Sequence, residues 1–134
     1  MIAVTEIAFT GYPVTDMARA RAFYEGHFGL KPTSVLEFPG GAAFTEYEIG
    51  PGAFCLAKMD DWTPTHQGPC CAFEVADFDT AMTSLKAGGV TFMMEPFETR
   101  VCRMAIIQDP EGNKITVHQR KPEQASDLIR SIRA

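Results

Sequence analysis

The feature that most constrains this chain is that it states one pattern twice. Tyr12-Pro13-Val14-Thr15-Asp16-Met17-Ala18-Arg19-Ala20 is answered by Phe73-Glu74-Val75-Ala76-Asp77-Phe78-Asp79-Thr80-Ala81. In both, a short apolar stretch reaches Val-x-Asp and turns into a helical pattern. The two aspartates stand 77 − 16 = 61 residues apart in a chain of 134, so the period is close to half the length. Such a repeat predicts two copies of one supersecondary unit.

Local punctuation agrees in each copy. In the second, Asp77 caps a helix whose buried face is Phe78, Ala81, Met82 and Leu85, and Gly88-Gly89 ends it. In the first, Thr15 or Asp16 caps, Ala20, Phe23 and Tyr24 form the buried stripe, and Gly29 stops the helix. Alternating segments follow: residues 33–38, 42–49 and 53–58 around a Gly50-Pro51-Gly52 turn, then 90–94, 103–108 and 114–119 around Asp109-Pro110-Glu111-Gly112-Asn113. Each half therefore reads β-α-β-β-β, giving an α+β fold: module one about 3–58, a polar linker 59–69 with the only tryptophan, Trp62, module two 70–120, and a tail 121–134. A chain of this length suits one domain. In the tail Leu128, Ile129 and Ile132 fall at helical spacing behind Ser126 or Asp127, which suggests a short helix on its own domain or on a partner subunit.

Alternation sorts the second module's faces. Cys71, Phe73 and Val75, with Ile115 and Val117, make the set that meets the helix, which leaves Cys70, Ala72, Glu74, Thr116 and His118 on the opposite face. By the repeat, Phe9 corresponds to Cys70.

Composition removes several functions. Net charge is −5, which disfavours a nucleic-acid surface. No apolar run approaches the eighteen or so residues of a membrane span. No basic residue precedes the first apolar stretch and Glu6 lies within it, which argues against a secretory signal and for the cytoplasm. Four cysteines without a C-x-x-C read as reduced thiols.

The tandem β-α-β-β-β units, with Val14-Thr15-Asp16 leading to Phe23-Tyr24 and Gly29-Leu30, and with Asp109-Pro110-Glu111-Gly112-Asn113 before the last strand, resemble the vicinal-oxygen-chelate superfamily over roughly residues 3–120. This is the glyoxalase, bleomycin-resistance and extradiol-dioxygenase group. The resemblance implies a curved, mostly antiparallel sheet around a cup, commonly completed by dimerisation, and so a homodimer. It also implies where metal-using relatives keep their ligands: Phe9 and Cys70 in the first strands, about Cys55 and Thr116 in the last. None of these is an imidazole or a carboxylate, so the metal-dependent activities do not carry over, and neither metal nor cofactor is expected.

Two functions follow as expectations. One is binding of a small aromatic or cationic molecule in a cup lined by Phe9, Cys55, Cys70, Ala72, Trp62, Arg103 and Thr116. The rival is lyase or isomerase chemistry with Glu74 or His118 as acid or base. Cys55, Cys70 and His118 form a soft donor set for zinc or copper, or the thiols are small lining residues. Cys70 is a nucleophile only if His118 makes its thiolate. Glu74 is either a base in the cup or a rim carboxylate facing water or paired with Arg103 or Lys114. Glu46 and Glu48 read as a half-exposed strand, Arg100 and Arg103 as residues of the loop before the second module's third strand, and His27 and His66 as structural or solvated.

Overall fold

In the computed structural model, which describes residues 1–121, the repeat is realised as two units, each holding four strands and one helix. The first strands, β1 (Thr10–Pro13) and β5 (Cys71–Glu74), start 71 − 10 = 61 residues apart, and so do the helices α1 (Met17–Phe28) and α2 (Phe78–Ala87), at 78 − 17 = 61. The fold is α+β, built of two βαβββ modules.

Unit one comprises Met1–Thr65 and the turn Pro110–Asn113. Its sheet adds β2 (Ser34–Glu37), β3 (Ala43–Ile49) and β4 (Gly52–Lys58) in the order β1-β4-β3-β2; β1 runs parallel to β4 and the other pairs are antiparallel. Asp16 is the cap of α1: its backbone is extended and its side chain accepts the Arg19 N–H at 3.0 Å. Gly29 ends the helix at φ 63°, a left-handed conformation that costs glycine nothing. Ala20, Phe23 and Tyr24 are buried, and the Tyr24 ring lies 5.0 Å from Phe54 of β4. Next to it the buried Tyr47 hydroxyl donates to Glu25 at 2.9 Å, and Arg21 pairs with the same carboxylate at 2.7 Å. The Arg21 hydrogen bond, opposed by burial and helped by Tyr47, holds Glu25 below the ordinary carboxylate range.

Unit two comprises His66–Asp109 and the described residues from Lys114 onward. It adds β6 (Thr91–Glu98), β7 (Cys102–Gln108) and β8 (Lys114–Arg120) in the order β5-β8-β7-β6, with β5 parallel to β8. Asp77 caps α2, accepting from Thr80 N at 3.1 Å and Thr80 Oγ1 at 2.8 Å. Phe78, Met82 and Leu85 are buried, as are Phe73, Ala105, Ile107, Ile115 and Val117 of the sheet. Of Gly88-Gly89 only Gly89 takes positive φ, at 72°.

Three expectations change. Phe9 and Cys70 stand one residue before β1 and β5 rather than within them. The strand after α2 continues past Met94 to Glu98, because an edge strand with register shifts tolerates Pro96, whose nitrogen has no proton to donate. Arg103 lies inside β7, not in the preceding loop. The helix expected around Leu128, Ile129 and Ile132 falls outside the described residues.

The Asp109-Pro110-Glu111-Gly112-Asn113 sequence is more than a turn. Gly112 takes φ 98°, and the buried Asn113 donates to Pro13 O at 2.8 Å and accepts from Thr65 N at 3.2 Å. The Glu111 side chain is 0% exposed and accepts from Thr15 N and Thr15 Oγ1, both at 2.7 Å, from Asp16 N at 3.1 Å and from Arg19 Nη2 at 3.0 Å. Burial alone would raise its pKa. The bonds from Thr15, Arg19 and Asp16 outweigh burial and hold the carboxyl below its usual value, as a carboxylate at a helix N-terminus should be.

Replacing Glu111 by Ala strands these donors and is expected to cost about 3 kcal/mol in urea unfolding near neutral pH. A loss below about 0.5 kcal/mol, the size of an ordinary surface change, would refute the role. Since the folded pKa is depressed, the contribution is present above the unfolded value of 4.5 and is lost as pH falls through the lower folded value. The gap between wild type and E111A should therefore narrow in acid.

Candidate functional site

Each sheet has one helix, packed on one of its faces, and the candidate residues divide between the faces turned away from the helices. In unit one, Thr45, Tyr47, Phe54 and Leu56 point toward α1; Thr45 Oγ1, for example, reaches Met17 Sδ at 3.4 Å. The alternate positions look away from α1. Register sets Gly11 beside Cys55, Cys55 beside Glu46, and Phe44 beside Ala57 on that face.

Phe9 and Trp62 join them there. The Phe9 ring meets Phe44 edge-on at 6.3 Å between centroids. A Cβ on Gly11 would lie 3.4 Å from Trp62 Cη2 and 3.8 Å from Phe9 Cε2, ordinary contact distances, so both rings rest over the strand at Gly11 with room for a methyl group and little more. Phe9 is 56% and Trp62 40% exposed, unusual for side chains of this size. Cys55 is fully buried beneath the group. Burial, with Glu46 second, pushes its thiol up to about 11, so it remains protonated near neutrality. Phe9, Cys55 and Trp62 were legible in the sequence; Phe44, Gly11 and the placement of Glu46 were not. Only the β1–β4–β3 register brings these together.

In unit two the face away from α2 holds Cys70, Ala72, Glu74, Thr116 and His118, as alternation requires, with Met104 and Ile106 from β7 beside them. Cys70 Sγ lies 3.1 Å from Thr116 Oγ1. Glu74 and His118 are register partners across the parallel β5/β8 pair, and Glu74 Oε1 sits 2.5 Å from His118 Nδ1. The second carboxylate oxygen accepts the Arg120 N–H at 2.7 Å. Burial pushes the Glu74 pKa up, but the Arg120 N–H and His118 together bring it below the ordinary value. The partners of Glu74 are thus His118 and Arg120, not Arg103 or Lys114. Arg103 is on the other face: its guanidinium lies over the Phe78 ring at 4.8 Å and pairs with Asp79 at 2.6 Å.

The positions that the family resemblance assigns to metal ligands hold Phe9, about Cys55, Cys70 and Thr116. Phe9 has no donor atom, Cys55 is held as the thiol, and Thr116 is engaged with Cys70. This donor set does not fit a divalent metal. Among the described residues no three His, Cys, Asp or Glu side chains are grouped to hold one, the Cys55, Cys70 and His118 set included. Among those residues, too, no helix is long and apolar enough to cross a membrane.

The chain belongs to the glyoxalase/bleomycin resistance protein/dioxygenase superfamily, whose family model matches residues 6–117. No curated protein matches the chain. Among solved structures, the trypanothione-dependent glyoxalase I of Leishmania major superposes with a TM-score of 0.78 at 19% identity, over 98% of this chain and all (100%) of that one. TnmS3, an antibiotic-binding protein from Streptomyces, gives 0.68 at 23% identity, over 90% of this chain and 100% of its own. A virulence protein from Salmonella typhimurium gives 0.65 at 19%, over 88% and 98%. At these identities the likeness is one of fold.

Two measurements check the geometry. Gly11→Val adds branches where Trp62 rests, so the emission of this sole tryptophan should shift to the red and become easier to quench with acrylamide, whereas Gly11→Ala should change it little; equal spectra for all three proteins would contradict the contact. Cys70 is exposed while Cys55 and Cys102 are buried. A thiol reagent at about pH 8 should label one site fast and lose that phase in Cys70→Ser, because Cys55 and Cys102 are buried and Cys71 is part-buried, with its thiol pushed up by burial. A fast phase surviving in Cys70→Ser would contradict the burial assignments.

Proposed function

We propose that this protein binds a small aromatic, cationic molecule against the uncovered face of its first module, without the metal of the family's metal-dependent enzymes. The observation behind this is the grouping of Phe9, Phe44 and Trp62 around Gly11, with Glu46 beside Cys55 on the same face. Aromatic faces attract cations and stack on planar rings, and a neighbouring carboxylate supplies the counter-charge. A monomeric protein rarely leaves large apolar side chains grouped in water unless something covers them. The antibiotic-binding activity named for TnmS3 supports a binding role for this chain. In this reading the protein needs no cofactor and works in the cytoplasm as a homodimer, the assembly that the family resemblance implies.

Proflavine, a planar aromatic cation, tests it. Titration should quench Trp62 saturably, and Glu46→Gln should weaken binding about fivefold, the roughly 1 kcal/mol of one exposed cation contact. Quenching that never saturates, or equal affinity in the two proteins, would defeat the reading. Elemental analysis of protein purified without chelators addresses the metal: stoichiometric zinc, nickel or iron would overturn its metal-free part.

A further inference from the structure

The geometry points to Glu74 and His118 as an imidazole–carboxylate dyad that abstracts a proton from a small uncharged organic molecule with an activated C–H bond, with His118 as the catalytic residue and Glu74 as its positioning residue. The inference rests on the reading that an uncovered face of this protein accepts a small molecule, and extends it from module one to module two.

The two side chains are held, not merely adjacent. Register places them on neighbouring parallel strands, Glu74 Oε1 engages His118 Nδ1 at 2.5 Å, and Arg120 N–H fixes the other carboxylate oxygen at 2.7 Å. A carboxylate can only accept, so Nδ1 bears the proton and Nε2 of a neutral ring is left with the basic lone pair. An orienting carboxylate that fixes one tautomer and stabilises the imidazolium is what an imidazole base requires. The surroundings suit an uncharged substrate: Ala72 from β5 and Met104 and Ile106 from β7 are apolar. In the step, the C–H bond breaks, its proton goes to His118 Nε2, and its electron pair stays with the substrate. The charged and titratable groups around His118 on this face are Glu74 from β5, Arg120 from β8 and Cys102 from β7.

The probe is 5-nitrobenzisoxazole with the full-length protein. Loss of its C3 proton forms the nitrile, breaks the N–O bond and releases a coloured nitrophenolate, so no other reactant is needed. Turnover should saturate and exceed that of free imidazole at equal concentration. His118→Gln should lower kcat about tenfold or more, within the usual range for a general base. Glu74→Gln should lower kcat and leave KM unchanged, because the imidazole loses the contact that orients it while the substrate's own contacts remain. A merely structural Glu74 would leave kcat in place or move KM with it, and this split decides even if His118→Gln does not fold. No rate above free imidazole, an undiminished rate in folded His118→Gln, or an unmoved kcat in Glu74→Gln overturns the proposal. Proflavine binding is measured separately on module one, so its survival would leave the proposed function standing when the dyad fails.

Discussion

One helix can cover only one face of a four-stranded sheet, and the organisation of both modules follows from that limit. In each, the helix buries a single apolar face: Tyr24 packs on Phe54 in unit one, and Phe78, Met82 and Leu85 lie against the sheet in unit two. Burying such side chains contributes roughly 1.5–3 kcal/mol each, enough to fix which way every strand residue points. The alternate residues then lie on the other face, clear of the helix, where Cys55, Ala57 and Thr116 are buried and residues such as Glu74 stay exposed. Functional candidates collect there because nothing in the module competes for them.

Polar contacts refine this plan at the helix starts. Asp16 and Asp77 cap their helices in the same way, but α1 has a second carboxylate, Glu111, from the turn that follows β7. Five hydrogen bonds from Thr15, Asp16 and Arg19 compensate its complete removal from water, and Asn113 of the same turn ties down the end of β1. The sequence that reads as a loop signal thus supplies side chains to a core 96 residues away.

The family fold persists here while the chemistry at the family's metal positions has changed. Phe9 and Cys55 turn that part of module one toward apolar contact, with Phe44, Trp62 and Glu46 close by; Cys70 and Thr116 satisfy each other in module two. What the second module offers instead is Glu74 with His118, a polar pair on an otherwise largely apolar face. The two modules follow one pattern yet present different side chains on equivalent faces, one aromatic and acidic, the other an imidazole paired with a carboxylate.

The sequence by itself determined the repeat, the helix caps and stops, the strand faces of module two and the absence of imidazole or carboxylate at the metal positions. All of these depend on near neighbours: the spacing of apolar residues, an Asp before a helix, a glycine free to take positive φ. It also placed Cys70, Ala72, Glu74, Thr116 and His118 on one face, since alternation along two strands suffices for that. Tertiary structure alone decided the pairings. That Glu74 meets His118 rather than Arg103, that Arg103 turns to Phe78 and Asp79, and that Trp62 rests over Gly11 are consequences of strand register and of chain segments far apart in sequence. Register is set by the burial of whole faces together. No short stretch of residues contains that information.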